Sequence, residues 1–197
     1  MTKSSGKLAL LGTSADPPTR GHQALLEGLL RVFPKVATWA SNNPQKKHEI
    51  PLQKRQELLS VVVKFIGNKN LELAQELSSP WTVKTIEKAS QKWPNRELTF
   101  IIGSDLLSQV PEWLDAKTFL TKSRIGIVPR IGWPIKESHL QRIKDLGGQI
   151  DLLSLKIPPS ASSETRENPS IENLPPPILQ LLLEQNLYHI NKKINSQ

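Results

Sequence analysis

The chain has 197 residues, no cysteine and a formal net charge of +8 at pH 7. This length is typical of one domain with its own hydrophobic core, and the lack of cysteine excludes disulfide bonds and thiolate metal sites. No apolar run approaches the roughly 18 to 20 residues that span a bilayer, and the N-terminus lacks the apolar core and cleavage site of a signal peptide. We therefore expect a cytoplasmic protein with no membrane partner.

The basic charge indicates a polyanionic partner, either nucleic acid or phosphorylated small molecules. Part of the excess lies at the two termini, and there is no dense basic run with interleaved aromatic residues, so we expect no binding to nucleic acid. We expect a single domain over residues 1–197, with a core at about 7–188 and a flexible polar tail at 189–197.

Short apolar runs alternate with longer segments in which apolar residues recur at helical spacing. The predicted strands are Lys7–Ser14, Lys35–Ala40, Leu71–Leu77, Leu98–Ile102, Arg124–Val128 and Gln149–Leu155. The predicted helices are Gly21–Phe33, Leu52–Ile66, Thr82–Lys92, Leu106–Phe119, Ile135–Leu146 and Pro176–Glu184. This alternation predicts an α/β fold, a doubly wound parallel sheet with a small C-terminal helical part.

Polar residues cluster directly after the predicted strands. The clusters are Gly12–His22, Ser41–Lys47, Gly103–Asp105, Pro129–Gly132 and Ser160–Arg166. Because the carboxyl ends of parallel strands share one edge of the sheet, where ligands of such sheets bind, we expect these clusters to form one site.

The first cluster is typical of a phosphate-binding junction between a strand and a helix. Its loop residues Gly12, Thr13 and Ser14 precede a helix N-terminus, where free backbone N–H groups and the helix dipole attract anions. Gly21 allows close approach of the backbone, and the ring of His22 can donate to a phosphoryl oxygen. The alternative is that His22 is an ordinary, partly exposed residue at a helix start.

The run Gly12–His22, with the sequence GTSADPPTRGH, resembles the first signature of the nucleotidylyltransferase superfamily, G-x-F-x-P-x-H/T-x-G-H. Ser160–Arg166, with the sequence SASSETR, stands where the second signature is found and ends with its arginine. The intervening motifs follow the order of bacterial nicotinate mononucleotide adenylyltransferases, namely Asn43–Lys46, Arg55, Thr82 with Thr85, Gly103–Asp105 with Trp113, and Pro129–Gly132. The resemblance covers residues 8 to about 188.

The chain departs from the signatures at four positions. Thr19 replaces the first histidine, Ala15 an aromatic residue, and Ala161 and Ser163 replace serine and threonine. A serine hydroxyl can still donate to a phosphate, whereas Ala161 cannot, so this last change bears on the rate more than on identity.

The resemblance implies adenylyl transfer from ATP to nicotinate mononucleotide, which gives nicotinate adenine dinucleotide and pyrophosphate in NAD biosynthesis. Such a transfer between two anions needs positioning and charge stabilisation more than a protein nucleophile. No His/Asp/Glu constellation indicates a permanent metal site, so we expect Mg²⁺ to arrive with ATP. A homo-oligomer is compatible with the sequence.

The implied catalytic residues are His22 at the α-phosphate, Arg166 at the β- and γ-phosphates, and the hydroxyl donor Thr19. The implied ATP-binding residues are Gly12, Thr13, Ser14, Gly21, His22, Gly103, Asp105, Ser162, Ser163 and Arg166. The implied mononucleotide-binding residues are Ser14, Ala15, Lys46, Arg55, Thr82, Thr85, Trp113 and Arg130.

Several assignments stay open at the level of sequence. Lys47 competes with Lys46 for the substrate phosphate, and Trp81 and Trp133 compete with Trp113 for the pyridine ring. Arg55 could instead form a structural ion pair, and Asp105 could contact ribose, orient magnesium or cap a helix. The acceptor could also be nicotinamide mononucleotide or phosphopantetheine, and the chain could be a non-catalytic nucleotide-binding module.

Overall fold

The structure, a computed structural model, describes residues 6–158, 162–167 and 171–190. The strands are β1 Lys7–Thr13, β2 Lys35–Ala40, β3 Leu71–Leu73, β4 Glu97–Gly103, β5 Arg124–Val128 and β6 Ile150–Leu152. The helices are α1 Arg20–Val32, α2 Leu52–Ile66, α3 Thr82–Lys92, α4 Ala116–Lys122, α5 Glu137–Asp145, α6 Ser162–Glu167 and α7 Pro176–Glu184. None of these helices combines the length and apolar character needed to cross a membrane within the described ranges.

The six strands form one parallel sheet in the order β3-β2-β1-β4-β5-β6. The chain order reverses between β1 and β4. These two strands pair only from Lys7 to Leu10 of β1, after which β1 continues beside β2 and β4 beside β5. A crevice therefore opens between the carboxyl ends of β1 and β4, which is where sheets of this topology bind ligands.

The side chains of β1 alternate between two apolar layers. Leu8 and Leu10 pack in the layer formed with α3, α4 and α5, whereas Ala9 and Leu11 pack in the layer formed with α1, α2 and α7. Burial on both faces explains why the strand is a continuous apolar run rather than an alternating one. The predicted doubly wound parallel sheet is confirmed.

The structure differs from the predicted elements in the segment that follows β4. The predicted helix at 106–119 is replaced by 3₁₀ turns at Ser104–Leu106 and Val110–Glu112 and by α4. Pro111 has no amide hydrogen for a continuous helix, and Asp115 adopts a left-handed backbone with φ of 50° directly before α4.

Strand β3 ends four residues earlier than predicted, at Leu73 rather than Leu77. The side-chain amide of Gln75 accepts a hydrogen bond from the backbone N–H of Ala40 and donates one to its carbonyl oxygen, each at 2.9 Å. A side chain thus takes over the backbone pairing at the end of β2, and a 3₁₀ turn replaces the rest of the strand. The predicted sixth strand and fifth helix are also shorter, as β6 and α5.

The C-terminal part packs onto the layer that contains α1 and α2. Tyr188 and Ile190 are buried there with α7. Ile190 falls within the predicted polar tail, but its side chain is only 1% exposed. Residues 191–197 of the predicted tail, and Ser160 and Ala161 of the second signature, lie outside the described residues.

Candidate active site

The loop between β1 and α1 is held between the ends of neighbouring strands. The carbonyl oxygen of Thr13 accepts a 2.7 Å hydrogen bond from the backbone N–H of Ser41, which follows β2. Gly12 lies against the indole of Trp39, and a Cβ placed on Gly12 would come within 2.9 Å of that ring. Ala15 is buried with a left-handed backbone at φ of 49°. The predicted loop residues thus form a packed turn at the crevice.

Helix α1 begins with a capping box formed by Thr19 and His22. The backbone N–H of Thr19 donates to Nδ1 of His22 at 3.0 Å, and the Thr19 hydroxyl lies 2.8 Å from the same nitrogen. Since Nδ1 accepts a hydrogen bond, a neutral ring carries its proton on Nε2. Thr19 itself is buried, so it positions the ring rather than facing solvent.

The imidazole of His22 is neutral at physiological pH. Burial, together with the positive charges of Arg130 and Lys46, lowers the pKa of His22 from 6.5 to about 4, and burial is the largest of these causes. The two cations come from the loops after β5 and β2, so the charges of residues from two other predicted clusters act on His22. The resulting group is an uncharged N–H donor within a positively charged crevice, which suits an anionic ligand.

Residues after β4 and β5 meet at the hydroxyl of Ser104. This oxygen accepts a 2.9 Å hydrogen bond from the backbone N–H of Arg130 and donates one of 2.7 Å to the carbonyl oxygen of Trp133. The loop Arg130–Trp133 is thereby closed over the end of β4. Ser104 is not among the predicted site residues.

The guanidinium of Arg130 lies 3.2 Å from Oδ2 of Asp105. The other carboxylate oxygen, Oδ1, is buried without a hydrogen-bond partner among the described residues. Both side chains pack close to Gly103, where an added Cβ would lie 2.2 Å from Oδ1 and 2.8 Å from Nε of Arg130. The missing side chain at Gly103 therefore makes room for both groups.

The unpartnered oxygen of Asp105 fits either a ribose hydroxyl or a hard cation such as Mg²⁺, which prefers oxygen ligands. In the described part of the chain, no group of three or more His, Cys, Asp or Glu side chains is arranged to hold a metal ion. One protein carboxylate fits a metal ion that is held mainly by phosphates and water.

Arg166 in α6 reaches the loop after β1. Its Nη1 donates to the main-chain carbonyl oxygen of Asp16 and lies 3.8 Å from the Asp16 carboxylate. The Ser162 hydroxyl donates to the carbonyl oxygen of Pro17 at 2.9 Å, whereas Ser163 is exposed. The two ends of the predicted ATP site, at Gly12–His22 and in α6, are thus in direct contact.

Asp16 lies at the candidate site but is not among the predicted site residues. Its carboxylate is buried and accepts hydrogen bonds from the backbone N–H of Glu49 and from the hydroxyl of Tyr188. His48 lies 3.5 Å away through Nδ1. Two signals were available, since Asp16 is the single acidic residue of the Gly12–His22 run and Tyr188 is the single tyrosine of the chain.

The buried side chain of Arg55 connects two of the predicted clusters. It is 2% exposed, and its Nη1 donates to the carbonyl oxygens of Ser14 and Ser41 at 2.8 and 2.9 Å. The guanidinium therefore fixes the loops after β1 and β2 relative to each other. This geometry favours a bracing role over direct contact with the mononucleotide.

The loop after β2 carries Lys46 and Lys47, which are both exposed. The positive charge of Lys46 lowers the pKa of His22 and of His48. For His48, burial is the largest cause of the lowered pKa, and the charge of Arg55 comes next. The charge of Lys46 thus acts on both histidine rings, which makes Lys46 a better candidate than Lys47 for a phosphate contact.

The two threonines predicted to bind the mononucleotide lie at the start of α3. The Thr85 hydroxyl is buried and donates to the carbonyl oxygen of Leu77 at 3.0 Å, so it faces the protein. Thr82, one turn earlier, is partly exposed.

The candidate tryptophans differ in how firmly they are held. Trp113 is partly buried and contacts Phe100 edge-on at 6.2 Å and Phe119 at 5.8 Å between ring centroids. Trp81 and Trp133 are 48% and 57% exposed. Trp113 is therefore the candidate whose ring is already oriented by packing, which favours it as a stacking surface.

Three comparisons with known proteins agree with this geometry. The model of the cytidylyltransferase-like family matches residues 10–168. The chain is 30% identical to a probable nicotinate-nucleotide adenylyltransferase of Synechocystis sp., over 92% of this chain and 98% of that protein. It is 27% identical to the nicotinate-nucleotide adenylyltransferase of Bacillus subtilis, over 68% of this chain and 74% of that protein.

Among solved structures, the chain is similar to the nicotinic acid mononucleotide adenylyltransferase of Plasmodium falciparum, which was determined in complex with NaAD. The TM-score is 0.76 at 18% sequence identity, and the match covers 93% of this chain and 98% of the other. At this identity the likeness supports the fold, while the family assignment rests on the sequence matches. The chain belongs to the cytidylyltransferase-like family and, within it, to the nicotinate-nucleotide adenylyltransferases.

Proposed function

We propose that the chain transfers the adenylyl group of ATP to nicotinate mononucleotide and releases pyrophosphate, a step of NAD biosynthesis. The observation that carries this proposal is the ring of His22 in the first turn of α1, whose Nδ1 accepts a hydrogen bond from the backbone N–H of Thr19 and leaves Nε2–H as the donor. Family membership supports the same reaction.

In this reaction an oxygen of the mononucleotide phosphate attacks the α-phosphorus of ATP in line with the leaving group. The new phosphorus–oxygen bond forms as the bond to the β-phosphate oxygen breaks, and pyrophosphate departs with the bonding electrons. The Nε2–H of His22 donates to an α-phosphoryl oxygen as negative charge grows there. No covalent intermediate with the protein is needed, because the phosphate of the mononucleotide is itself the nucleophile and pyrophosphate is the leaving group.

Charged side chains around the crevice bring the two anions together. We assign Arg166 to the β- and γ-phosphates, since a guanidinium matches paired phosphate oxygens, and Lys46 to the phosphate of the mononucleotide. Asp105, whose Oδ1 has no hydrogen-bond partner among the described residues, would be the protein contact of a magnesium ion bound with ATP, and such an ion would neutralise charge on the departing pyrophosphate. Arg55 holds the loops in register without touching substrate.

We assign the pyridine ring to the surface of Trp113. Thr82 and the backbone at the start of α3 would donate hydrogen bonds to the carboxylate of the nicotinate. Thr85 supports this segment through its bond to Leu77. A cytoplasmic location and an oligomeric assembly stay predictions of the sequence.

Purified protein incubated with Mg²⁺ and ATP should release pyrophosphate and form dinucleotide with nicotinate mononucleotide. Nicotinamide mononucleotide and phosphopantetheine in parallel reactions test the two other acceptors. Turnover that is faster with either of these would reassign the acceptor. ATP binding without pyrophosphate release from any acceptor would support a non-catalytic module instead.

A further inference from the structure

The carboxylate of Asp16 links the loop after β1 to the C-terminal part of the chain. It is 2% exposed. Oδ1 accepts a 2.7 Å hydrogen bond from the hydroxyl of Tyr188, and Oδ2 accepts one of 2.9 Å from the backbone N–H of Glu49. Arg166 contacts the same residue, both at its main-chain oxygen and 3.8 Å from Oδ2. Asp16 thus connects Tyr188 with Arg166.

Tyr188 is held in place by an unusual backbone and by apolar packing. Asn186, Tyr188 and His189 have left-handed φ angles of 47°, 57° and 53°, a conformation that residues other than glycine rarely adopt. Such conformations are energetically unfavourable and persist only where the surrounding structure enforces them. The Tyr188 ring is 7% exposed and shares a small cleft with Leu182 and Ile190. Its hydroxyl therefore reaches Asp16 from a fixed direction.

Arg166 lies in α6, which is only six residues long, and Asp16 is a partner of its guanidinium from outside that helix. A long, flexible arginine side chain loses conformational entropy when it is ordered. The main-chain oxygen and carboxylate of Asp16 order the guanidinium before a ligand arrives, which reduces the entropy lost on binding. If the Asp16 carboxylate could rotate freely, it would hold the guanidinium of Arg166 less firmly.

We propose that Tyr188 is a positioning residue for ATP, whose hydroxyl fixes the Asp16 carboxylate so that Asp16 holds Arg166 for the β- and γ-phosphates. This rests on the proposed function, which assigns Arg166 to those phosphates. The phenol remains a donor, because burial and the negative charge of Asp16 raise the pKa of Tyr188 well above its usual range.

The variant Tyr188→Phe keeps the ring and removes the hydroxyl. Loss of one hydrogen bond to a charged group should raise KM for ATP by about tenfold, while kcat and KM for nicotinate mononucleotide stay unchanged. In binding titrations the variant should lose affinity for ATP but not for AMP, which has no β- or γ-phosphate. A purely structural role would weaken both nucleotides alike.

A double-mutant cycle tests the route through Arg166. In the Arg166→Ala background, adding Tyr188→Phe should cause no further loss of ATP affinity, because the group that Tyr188 positions is gone. Additive losses would overturn the proposal, and so would a variant Tyr188→Phe with wild-type KM for ATP or with equal losses for ATP and AMP.

The matched control is Ser123→Ala, which removes another buried hydroxyl. Ser123 directly precedes β5, at the amino ends of the strands and away from the crevice at their carboxyl ends. Its hydroxyl donates to the carbonyl oxygen of Phe119 at 2.9 Å. This control should lower the melting temperature and leave ATP and AMP affinity unchanged. If the wild-type protein prefers ATP over AMP but forms no dinucleotide, the proposed function fails, while the two titrations still decide the role of Tyr188.

Discussion

The backbone N–H of Thr19 and Nδ1 of His22 are joined by a hydrogen bond of 3.0 Å. This bond assigns the proton of the neutral imidazole to Nε2 and fixes the plane of the ring. The residue that caps α1 therefore also orients the donor that we assign to the α-phosphate. A threonine in this position keeps that function, although the superfamily signature often has histidine there.

Replacing His22 by alanine should lower kcat with either pyridine mononucleotide by about 10²- to 10³-fold, the usual effect of losing one preorganised transition-state donor. The affinity for ATP should change little, since the donor acts mainly on charge that grows during the reaction. Loss of the capping box should also cost about 1 kcal/mol of stability. Steady-state kinetics and denaturant unfolding measure the two effects, and an unchanged kcat would contradict the assignment.

The titration of His22 should occur near pH 4, well below the ordinary value of 6.5. Because the unfolded chain takes up this proton first, the contribution of His22 to stability is complete above about pH 6.5 and is lost as the pH falls towards 4. NMR of the histidine rings, with His22→Ala for assignment, measures the pKa directly.

The charge of Arg130 contributes to this low value, so Arg130→Ala should raise the pKa of His22. Burial, the larger cause, remains in the variant, so the pKa should still lie below 6.5. A value near 6.5 in the wild-type protein would mean that the ring is solvated and charged in weak acid.

The variant Gly103→Ala should lose activity without unfolding. The backbone of Gly103, with φ of −76°, accepts any residue, but the new Cβ would collide with the side chains of Asp105 and Arg130. Gly6→Ala is the control, because a Cβ at Gly6 meets no atom within 4 Å. Comparable activity of the two variants in the pyrophosphate assay would show that the position of Asp105 and Arg130 does not matter.

Lys46 and Lys47 offer a matched pair within one loop. Lys46→Ala should raise KM for the mononucleotide by about tenfold, the cost of one charge-assisted phosphate contact. Lys47→Ala should leave it near the wild-type value. The reverse order, measured at constant ionic strength, would transfer the phosphate contact to Lys47.

Much of the fold could be predicted because it depends on local patterns. The apolar run of β1 and the helical spacing of apolar residues in α2 are visible directly in the sequence. Helix α2 begins and ends at the predicted residues. The predicted helix at 106–119 was wrong, because Pro111 and the backbone at Asp115 interrupt a pattern that apolar spacing alone does not reveal. The length of β3 depended on the distant contact between Gln75 and Ala40.

The sequence by itself determined the parallel sheet, the strand–loop–helix junction at Gly12–His22 and the family, since each follows from motifs and apolar patterns along the chain. Only the tertiary structure decided that Arg55 braces two loops and that Tyr188 reaches Asp16 across 172 positions. Hydrogen bonds between residues so far apart in the chain produce no recognisable spacing pattern in the sequence. They depend on burial and on where the topology brings the ends of distant elements together.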